Sequence, residues 1–223
     1  MNEYVNKYGK YVIPEEISYT YTAKTIMNGY VHEGVTIDYI KSYKNIIHSG
    51  TGFGDFLPAL KDCDKVFTFE PNKLMFECAK KTIELNNLTN IELGNLALGN
   101  INGYCSLRHV DNQGREMGPR SEIIEYGADS QMITIDTYIP KDTKIDLIHL
   151  DTEGFELKIL DGAKELIERD RPVIVLEIDG RAVDYNEYME RIGYLTHKQL
   201  IYNSNEDMVF VNTVYIPKNS EIK

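Results

Sequence analysis

The sequence predicts an α/β fold in which a mostly parallel β-sheet carries helices on both faces. Apolar segments of strand length alternate with segments of helical periodicity over residues 46–192, and this alternation is typical of parallel strands joined by crossover helices. A glycine-rich turn, residues 50–54, follows the first strand, and parallel sheets bind ligands at that edge. The 223 residues suffice for one such domain and are few for two.

Residues 1–44 differ in composition from the rest and are predicted to form a helical cap on the main domain. They are rich in Tyr and show weak helical periodicity over 15–28 and 33–43. Pro14 and the two acids after it are a typical helix start, because Pro suits the first turn and acids suit the positive end of the helix dipole. The main domain is predicted to occupy residues 45–223.

The main domain begins with five predicted strands that alternate with helices. The strands are 46–49, 66–70, 91–98, 145–150 and 172–178, and the helices are 56–61, 71–86, 157–168 and 185–192. An insertion at about 104–137, which contains several glycines and a proline, interrupts the alternation. Two last strands, 194–200 and 207–212, are predicted to close the sheet as an antiparallel pair.

Charge and composition exclude several classes of function. Asp and Glu number 35 and Lys and Arg number 24, so the formal net charge is −11. A nucleic-acid groove or a surface for anionic membranes requires a basic face, so no nucleic acid and no membrane is expected as a partner. The sequence predicts no signal peptide and no membrane-spanning segment, because it shows no apolar run of about 20 residues. Its three cysteines fit neither a zinc site nor a redox motif, so a cytoplasmic protein is expected.

The glycine turn and an acid further along the chain predict a site for an adenosine-containing cofactor. Gly50, Gly52 and Gly54 let the backbone approach a ligand closely, and Glu70, at the end of the second strand, can accept both ribose hydroxyls. A dinucleotide motif needs its third glycine one residue later, and Asp55 at the start of the next helix would repel a pyrophosphate. S-adenosylmethionine has no phosphate and carries a sulfonium cation, so it is favoured.

Candidate catalytic residues follow later strands or lie in the insertion. Asp151 leaves the fourth strand and is predicted to accept a proton or to contact the sulfonium, and His109 is a second candidate base because the pKa of His suits proton transfer. Asp151, Glu177 and Asp179 could hold a divalent metal through oxygen ligands. No histidine completes a stronger metal site, so a metal is not favoured. His48, at the tip of the first strand, is a candidate cofactor contact.

Three sequence blocks in order carry a resemblance to a known family. They are IIHSGTGFGDFLPAL, VFTFEPNKLMFECAKKTIELNNLTNIELGNLALGN and IDLIHLDTEGFELKILDGAKELIERDRPVIVLEID, and the resemblance covers about residues 30–180. In these blocks the chain resembles the FkbM-type S-adenosylmethionine-dependent methyltransferases. The resemblance implies a class I methyltransferase fold, which is Rossmann-like, with a seven-stranded sheet. It also implies O-methylation of a hydroxyl on a sugar, glycan or glycosylated natural product.

The resemblance also implies a set of cofactor contacts. The matching positions are His48, Ser49, Gly50, Thr51, Gly52, Phe53, Glu70, Pro71, Asn72, Asn95, Leu96, Ala97 and Asp151. By this resemblance the glycine turn surrounds the methionine part, Glu70 binds the ribose, and residues 71–72 and 95–97 border the adenine. His48 and Gly52 stand where many relatives have Asp and Asn.

Two other classes of function also fit the sequence. A nicotinamide-dependent sugar oxidoreductase or epimerase would share the α/β sheet and the ribose-binding acid, although the third-glycine spacing and a YxxxK base motif are missing. A non-catalytic binding module with a methyltransferase fold is the other alternative. The expected partner of an enzyme is a small-molecule or glycan acceptor, with fusion to or partnership with a glycosyltransferase as a further expectation. The sequence does not predict the oligomeric state.

Overall fold

The computed structural model describes residues 2–178, 182–203 and 209–220. The strands are β1 (Asn2–Val5), β2 (Lys10–Ile13), β3 (Asn45–Ser49), β4 (Lys65–Phe69), β5 (Ile91–Gly94), β6 (Ala97–Leu98), β7 (Gly103–Arg108), β8 (Glu122–Ile124), β9 (Ser130–Ile133), β10 (Leu147–Leu150), β11 (Val173–Glu177), β12 (Tyr194–Asn203) and β13 (Val209–Pro217). The helices are α1 (Tyr21–Met27), α2 (Gly34–Ile40), α3 (Lys73–Leu85), α4 (Ile135–Tyr138), α5 (Glu156–Asp161), α6 (Lys164–Asp170) and α7 (Ala182–Arg191). Short 3-10 helices occupy Glu15–Ile17, Leu57–Leu60 and Gly118–Arg120.

The central sheet has seven strands in the order β12-β13-β11-β10-β3-β4-β5. The pairs from β11 through β10, β3 and β4 to β5 are parallel, and β13 runs antiparallel to both of its neighbours. The sheet is therefore mixed, and its antiparallel pair matches the closing pair that the sequence predicts. The strand order reverses between β3 and β10, and the carboxyl ends of strands at such a switch point form the usual ligand crevice.

Both faces of the central sheet are covered by apolar layers. Neighbouring residues of a strand point to opposite faces, and Ile46 and Ile47 of β3 accordingly belong to two different buried clusters. The Ile47 cluster includes residues of α5, α6 and α7, whereas the Ile46 cluster includes residues of α2 and the 57–60 segment. These helices shield the strands on each side, which leaves the carboxyl edge of the sheet as the place where polar side chains gather.

The N-terminal segment is only partly helical. Residues 2–13 form the β1–β2 hairpin, which the sequence does not predict, whereas α1 and α2 lie within the expected helical regions. The hairpin is attached to α3, because Val12 N–H donates to Thr82 Oγ1 at 3.1 Å and the side chain of Asn86 both accepts from and donates to the backbone of Lys10. Long-range contacts with α3 therefore decide the conformation of these residues.

The insertion after β5 folds as a small four-stranded sheet with the order β6-β9-β7-β8. The sequence predicts strand-like pieces at 104–110 and 131–137, but the second of these ends early, because α4 begins at Ile135 after the helix cap Thr134. The 3-10 helix at Gly118–Arg120 lies within this insertion. No helix in the part of the chain that the structure describes has the length and apolar character needed to cross a bilayer.

Candidate functional site

The candidate site lies where β3 and β10 end side by side. Ser49 pairs with Leu150 at the last position of the two strands, and the N–H of Asp151 donates to the carbonyl oxygen of Ser49 at 3.0 Å. Gly50 has a φ of +94°, and a Cβ atom there would overlap the carbonyl oxygen of Asp151. Only glycine allows the two segments to approach each other this closely.

Glu70 follows β4 and is held in place by the backbone around it. Its Oε2 accepts the N–H of Gly52 at 2.8 Å, and its Oε1 accepts the N–H of Asn72 at 2.8 Å. Burial raises the pKa of Glu70 to about 8, although these two hydrogen bonds act in the opposite direction. A carboxylate offers about four acceptor positions, so both oxygens can still receive hydroxyl groups of a ligand.

Two cavities open at this edge, and Gly50, Pro119 and Asp151 line both of them. The larger cavity, of about 270 Å³, is bounded on one side by residues 19–22 of the N-terminal segment. Five carboxyl side chains line it: Glu33, Asp55, Asp151, Glu153 and Glu177. The smaller cavity, of about 30 Å³, is lined by Glu70 together with apolar side chains that include Pro71, Ala97, Leu98 and Ile123. One cavity is therefore acidic and the other mostly apolar.

Six of the predicted cofactor residues line these cavities: Ser49, Gly50, Glu70, Pro71, Ala97 and Asp151. A seventh, Gly52, has a φ of +54°, and a Cβ atom there would lie 3.3 Å from Pro119, which lines both cavities. The remaining predicted residues do not line either cavity. Phe53 and Leu96 are buried in apolar clusters, and Thr51 donates its hydroxyl to the carbonyl oxygen of Phe69 at 2.9 Å.

Asn72 and Asn95 hold neighbouring segments together. The side-chain oxygen of Asn72 accepts the N–H of Leu74 at 2.9 Å and so caps the start of α3, while its amide donates to Glu116 at 2.8 Å and to Ser121 at 3.0 Å. Asn95 donates its side-chain amide to the carbonyl oxygen of Glu70 at 2.8 Å. Asn72 thereby fastens the insertion to the central domain beside the smaller cavity.

His48 lies beneath the edge of the sheet. Its ring stacks on Phe56 and His149, and the two histidines share a hydrogen bond of 2.9 Å between their Nδ1 atoms. Burial, and then the neighbouring His149, lowers the pKa of His48 well below its ordinary value, so the ring is neutral. His48 is thus part of the packing under the cavities, and its role as a cofactor contact stays a prediction.

His109 lies on the surface of the insertion. Its side chain is half exposed, and its Nδ1 is 3.0 Å from Oε2 of Glu116. The residues that line the two cavities do not include it. Its assignment as a base therefore stays a prediction that requires the insertion to bring this residue closer to the acceptor.

Asp151 and Glu177 lie together in the larger cavity. Burial, and then the charge and hydrogen bond of Glu177, raises the pKa of Asp151 well above its ordinary value. Carboxylate oxygens of Asp151, Glu177 and Glu33 all lie within 4.8 Å of one another, and oxygen-only ligands of this kind suit a hard cation. Two of these residues belong to the predicted metal set, whereas Asp179, the third member of that set, lies outside the described residues.

The loop that follows Asp151 is shaped by Glu156. Its Oε1 accepts the N–H groups of Thr152 at 2.8 Å and of Gly154 at 3.2 Å, and its Oε2 accepts the hydroxyl of Tyr185. These hydrogen bonds hold the backbone of the loop in place just before α5. Glu156 therefore acts through the backbone, and it leaves Asp151 and Glu153 facing the cavity.

The sequence offered no signal for the contribution of the N-terminal segment. His32 and Glu33 line the larger cavity, yet they precede the predicted sheet and belong to no motif. Pro119 and Arg120 of the insertion also line it, so the insertion borders the site. Leu98, one residue beyond the predicted adenine contacts, lines the smaller cavity.

Comparison with solved structures supports the fold. The chain is similar to an FkbM methyltransferase from Methylobacillus flagellatus KT, with 18% identity, a TM-score of 0.53 and coverage of 77% of this chain but 43% of the other. A putative tRNA (m1A22) methyltransferase from Streptococcus pneumoniae has 10% identity, a TM-score of 0.55 and coverage of 84% and 72%. A tRNA m1G37 methyltransferase from M. jannaschii has 13% identity, a TM-score of 0.54 and coverage of 98% and 57%.

The family is shown by the sequence itself. No curated protein matches the chain, and the chain spans less than half the length of the Methylobacillus structure. The family model described as the methyltransferase FkbM domain, in contrast, matches residues 48–200. That range includes the glycine turn, Glu70, Asp151 and Glu177, which lie at the ends of four strands that are neighbours in the central sheet. The chain therefore belongs to the FkbM methyltransferase family.

Proposed function

We propose that this protein is an S-adenosylmethionine-dependent O-methyltransferase that acts on a hydroxyl of a sugar, glycan or glycosylated natural product. The observation that carries the proposal is that Asp151 lines both cavities, so one acid lies between a nucleoside-type site and a polar acceptor site. The FkbM family supports methyl transfer. The net charge of −11 disfavours an RNA substrate, which requires a basic surface.

The residues around the smaller cavity suit the adenosine part of the donor. Glu70 presents a buried carboxyl group to the cavity, and in its ionised form its two oxygens can accept the two ribose hydroxyls. Pro71, Ala97 and Leu98 offer apolar surface for a flat base. At about 30 Å³ the cavity by itself is smaller than a nucleoside, so binding requires this cavity to widen.

Within this proposal, Asp151 assists the acceptor hydroxyl. The bound methyl donor supplies an activated methyl group on a sulfonium. The acceptor oxygen forms a bond to the methyl carbon while the carbon–sulfur bond breaks, and the hydroxyl proton passes to a carboxylate. Because its pKa is raised, Asp151 in its ionised form binds a proton more tightly than an ordinary Asp, and such a base can contribute roughly 10²–10⁴ in rate.

The cofactor assignment is tested by calorimetric titration with S-adenosylhomocysteine. We expect binding by the wild-type chain and a loss of at least tenfold in affinity for Glu70→Gln, because the amide accepts fewer hydrogen bonds than the carboxylate. Glu84→Gln on the exposed side of α3 is the matched control and should bind like the wild type. Unchanged affinity in Glu70→Gln would remove Glu70 from the cofactor site.

The same titration separates the alternative functions. Stabilisation by a nicotinamide dinucleotide, with no binding of S-adenosylhomocysteine, would contradict the methyltransferase proposal and favour an oxidoreductase or epimerase. Saturating ligand at 100 times Kd adds about 2.7 kcal/mol to the free energy of unfolding, so a thermal shift detects either cofactor. Binding without turnover on any sugar in an acceptor screen would favour a non-catalytic module.

The role of Asp151 is tested with Asp151→Asn, a nearly isosteric change. We expect this variant to bind S-adenosylhomocysteine but to lose turnover by ~100-fold or more, because an amide cannot accept the hydroxyl proton. Turnover is followed as the formation of S-adenosylhomocysteine with an acceptor from the screen. His109→Gln is measured in parallel, and a larger loss there than in Asp151→Asn would move the base to the insertion.

A further inference from the structure

Residues 116–121 of the insertion, which we call the strap, contribute to the walls of both cavities. The strap contains the 3-10 helix of the insertion and ends just before β8. Pro119 lines both cavities, Arg120 lines the larger one, and Ser121 lines the smaller one. Pro119 also lies close to the glycine turn, since a Cβ atom at Gly52 would be 3.3 Å from its side chain. The strap therefore borders the turn that is proposed to surround the methyl donor.

Side chains from two other parts of the chain fasten the strap at Glu116. The amide of Asn72, just before α3, donates to Glu116 Oε1 at 2.8 Å and to Ser121 Oγ at 3.0 Å. The hydroxyl of Tyr19, in the N-terminal segment, donates to the carbonyl oxygen of Glu116 at 2.7 Å. Within the insertion, Glu116 Oε2 lies 3.0 Å from Nδ1 of His109. Glu116 thus joins the strap to α3 and to the N-terminal segment.

The strap also packs against a buried side chain of the N-terminal segment. Gly118 has a φ of +61°, and a Cβ atom there would lie 2.6 Å from a side-chain carbon of Ile17. Ile17 is buried in an apolar cluster that includes Phe53 of the glycine turn and Met75 and Cys78 of α3. Ile17 is therefore a fixed point of the domain, to which the strap can be attached in an experiment.

The smaller cavity has to widen before it can hold a nucleoside, because its volume is about 30 Å³. Among its walls, Ser49 ends β3, while Glu70 and Asp151 directly follow β4 and β10, and these strands are neighbours in the central sheet. Movement of these walls would disturb the pairing of the strands. The strap, in contrast, is released when the hydrogen bonds of Asn72 and Tyr19 break and its contact with the N-terminal segment separates. The strap is therefore the wall that we expect to move.

We propose that Glu116 is a positioning residue of the donor site: with Asn72 and Tyr19 it holds the strap closed over the smaller cavity, and release of these hydrogen bonds admits the methyl donor. This inference rests on the proposed function, because it takes the smaller cavity as the adenosine site. Closure of a loop over bound ligands shields the reacting groups from water. In this role Asn72 acts on the donor through the strap, whereas the family resemblance implies a direct contact with adenine.

The proposal is tested by the rate at which S-adenosylhomocysteine binds, measured by stopped flow. Tyrosine fluorescence reports binding, since the chain has 16 Tyr and no Trp. At equal ligand concentration we expect Glu116→Ala to bind faster than the wild type by roughly 2–10-fold, because loss of one hydrogen bond favours the open strap by about that factor. Damage to the site alone would leave association unchanged or make it slower. An association rate equal to or below that of the wild type would therefore overturn the proposal.

Glu125→Ala is the matched control for Glu116→Ala. Glu125 also joins the insertion to the central domain, through an ion pair of 2.9 Å with Lys158 of α5, but it follows β8 and lies outside the strap. We expect its association rate to stay within about twofold of the wild type, because exposed ion pairs contribute little. Equal acceleration in Glu125→Ala would contradict the role of the strap, because it would indicate a general loosening of the insertion.

Tyr19→Phe removes the second fastening and leaves the carboxylate of Glu116 in place. We expect this variant also to accelerate association, by roughly 2–10-fold, because the lost hydroxyl donated to the backbone of the strap. Unchanged or slower association in Tyr19→Phe would contradict a strap that is held closed by both hydrogen bonds.

A disulfide that locks the strap tests the proposal from the opposite direction. A Cβ atom at residue 118 would lie 3.3 Å from the Cβ of Ile17, close to the roughly 3.5–4.5 Å between the Cβ atoms of a disulfide. In the double variant Ile17→Cys/Gly118→Cys, we expect the oxidised protein to bind S-adenosylhomocysteine at least ~10-fold more slowly than the reduced protein, because the lock depopulates the open state. Both states carry the same substitutions, so their comparison isolates the lock. Equal rates before and after reduction would overturn the proposal.

Failure of this inference is distinguishable from failure of the proposed function. Absence of S-adenosylhomocysteine binding by the wild type would contradict the proposed function. Binding by the wild type, with the same association rate in Glu116→Ala, would contradict only the role of the strap. Melting temperatures of all variants are recorded so that an unfolded variant is recognised.

Discussion

At the scale of single residues, the site depends on backbone contacts that few amino acids permit. Gly50 lies against the carbonyl oxygen of Asp151, and Gly52 donates its N–H to Glu70. Both glycines have a positive φ, a conformation that costs an L-amino acid roughly 1–2 kcal/mol. The glycine turn therefore does more than leave room for a ligand, since it also orients the two acids that face the cavities.

Substitution of Gly50 tests this contact. We expect Gly50→Ala to lower the free energy of unfolding by more than the roughly 1–2 kcal/mol that a positive φ costs, because its Cβ would also collide with the backbone of Asp151. Gly114→Ala is the control for the φ term alone, since Gly114 has a φ of +74° and no atom lies within 4 Å of the added Cβ. Urea denaturation measures the free energy of unfolding of both variants. Equal decreases in the two variants would contradict a steric role for the contact between Gly50 and Asp151.

At the scale of elements, local sequence patterns were sufficient to predict the positions of the inner strands of the central sheet. The strands β3, β4, β10 and β11 lie within one residue of, or inside, their predicted ranges, because each is a short apolar run bounded by turn residues. The 3-10 segment at Leu57–Leu60 replaces a predicted α-helix. For elements with a strong local pattern, the sequence therefore predicts the position along the chain well, but it predicts the kind of helix only in part.

The N-terminal segment and the insertion were predictable only in part, for a physical reason. The β1–β2 hairpin depends on hydrogen bonds with α3, which lies about seventy residues further along the chain, and no local pattern encodes such contacts. The same holds for Glu33, whose partner Asn212 is 179 positions away. Glu70 and Asp151 were predictable, because a strand end and a nearby glycine turn identify a ligand-facing acid.

At the scale of the whole molecule, several acids are buried at one edge of the sheet. Burial raises the pKa of Glu70 to about 8 and that of Asp55 to about 6, and it raises the pKa of Asp151 well above its ordinary value. The folded chain therefore binds these protons more tightly than the unfolded chain does. The free energy of unfolding decreases with pH wherever the folded state binds more protons, so these acids destabilise the ligand-free protein as the pH rises from their ordinary range towards 8.

We accordingly expect the ligand-free protein to melt at a higher temperature at pH 6.5 than at pH 8. The buried His48 and His149, whose pKa values are lowered from 6.5, act in the opposite direction mainly below this range. The sign follows from Glu70: its pKa is 4.5 in the reference state and about 8 in the folded chain, so between these values folding favours the protonated form. Glu70→Gln cannot lose a proton and should show a smaller decrease over the same range. The net charge of −11 also contributes repulsion that grows with pH, and high salt screens the exposed part of it. The difference in slope between the wild type and Glu70→Gln should therefore persist at high salt, and equal slopes would show that Glu70 is not the group that titrates.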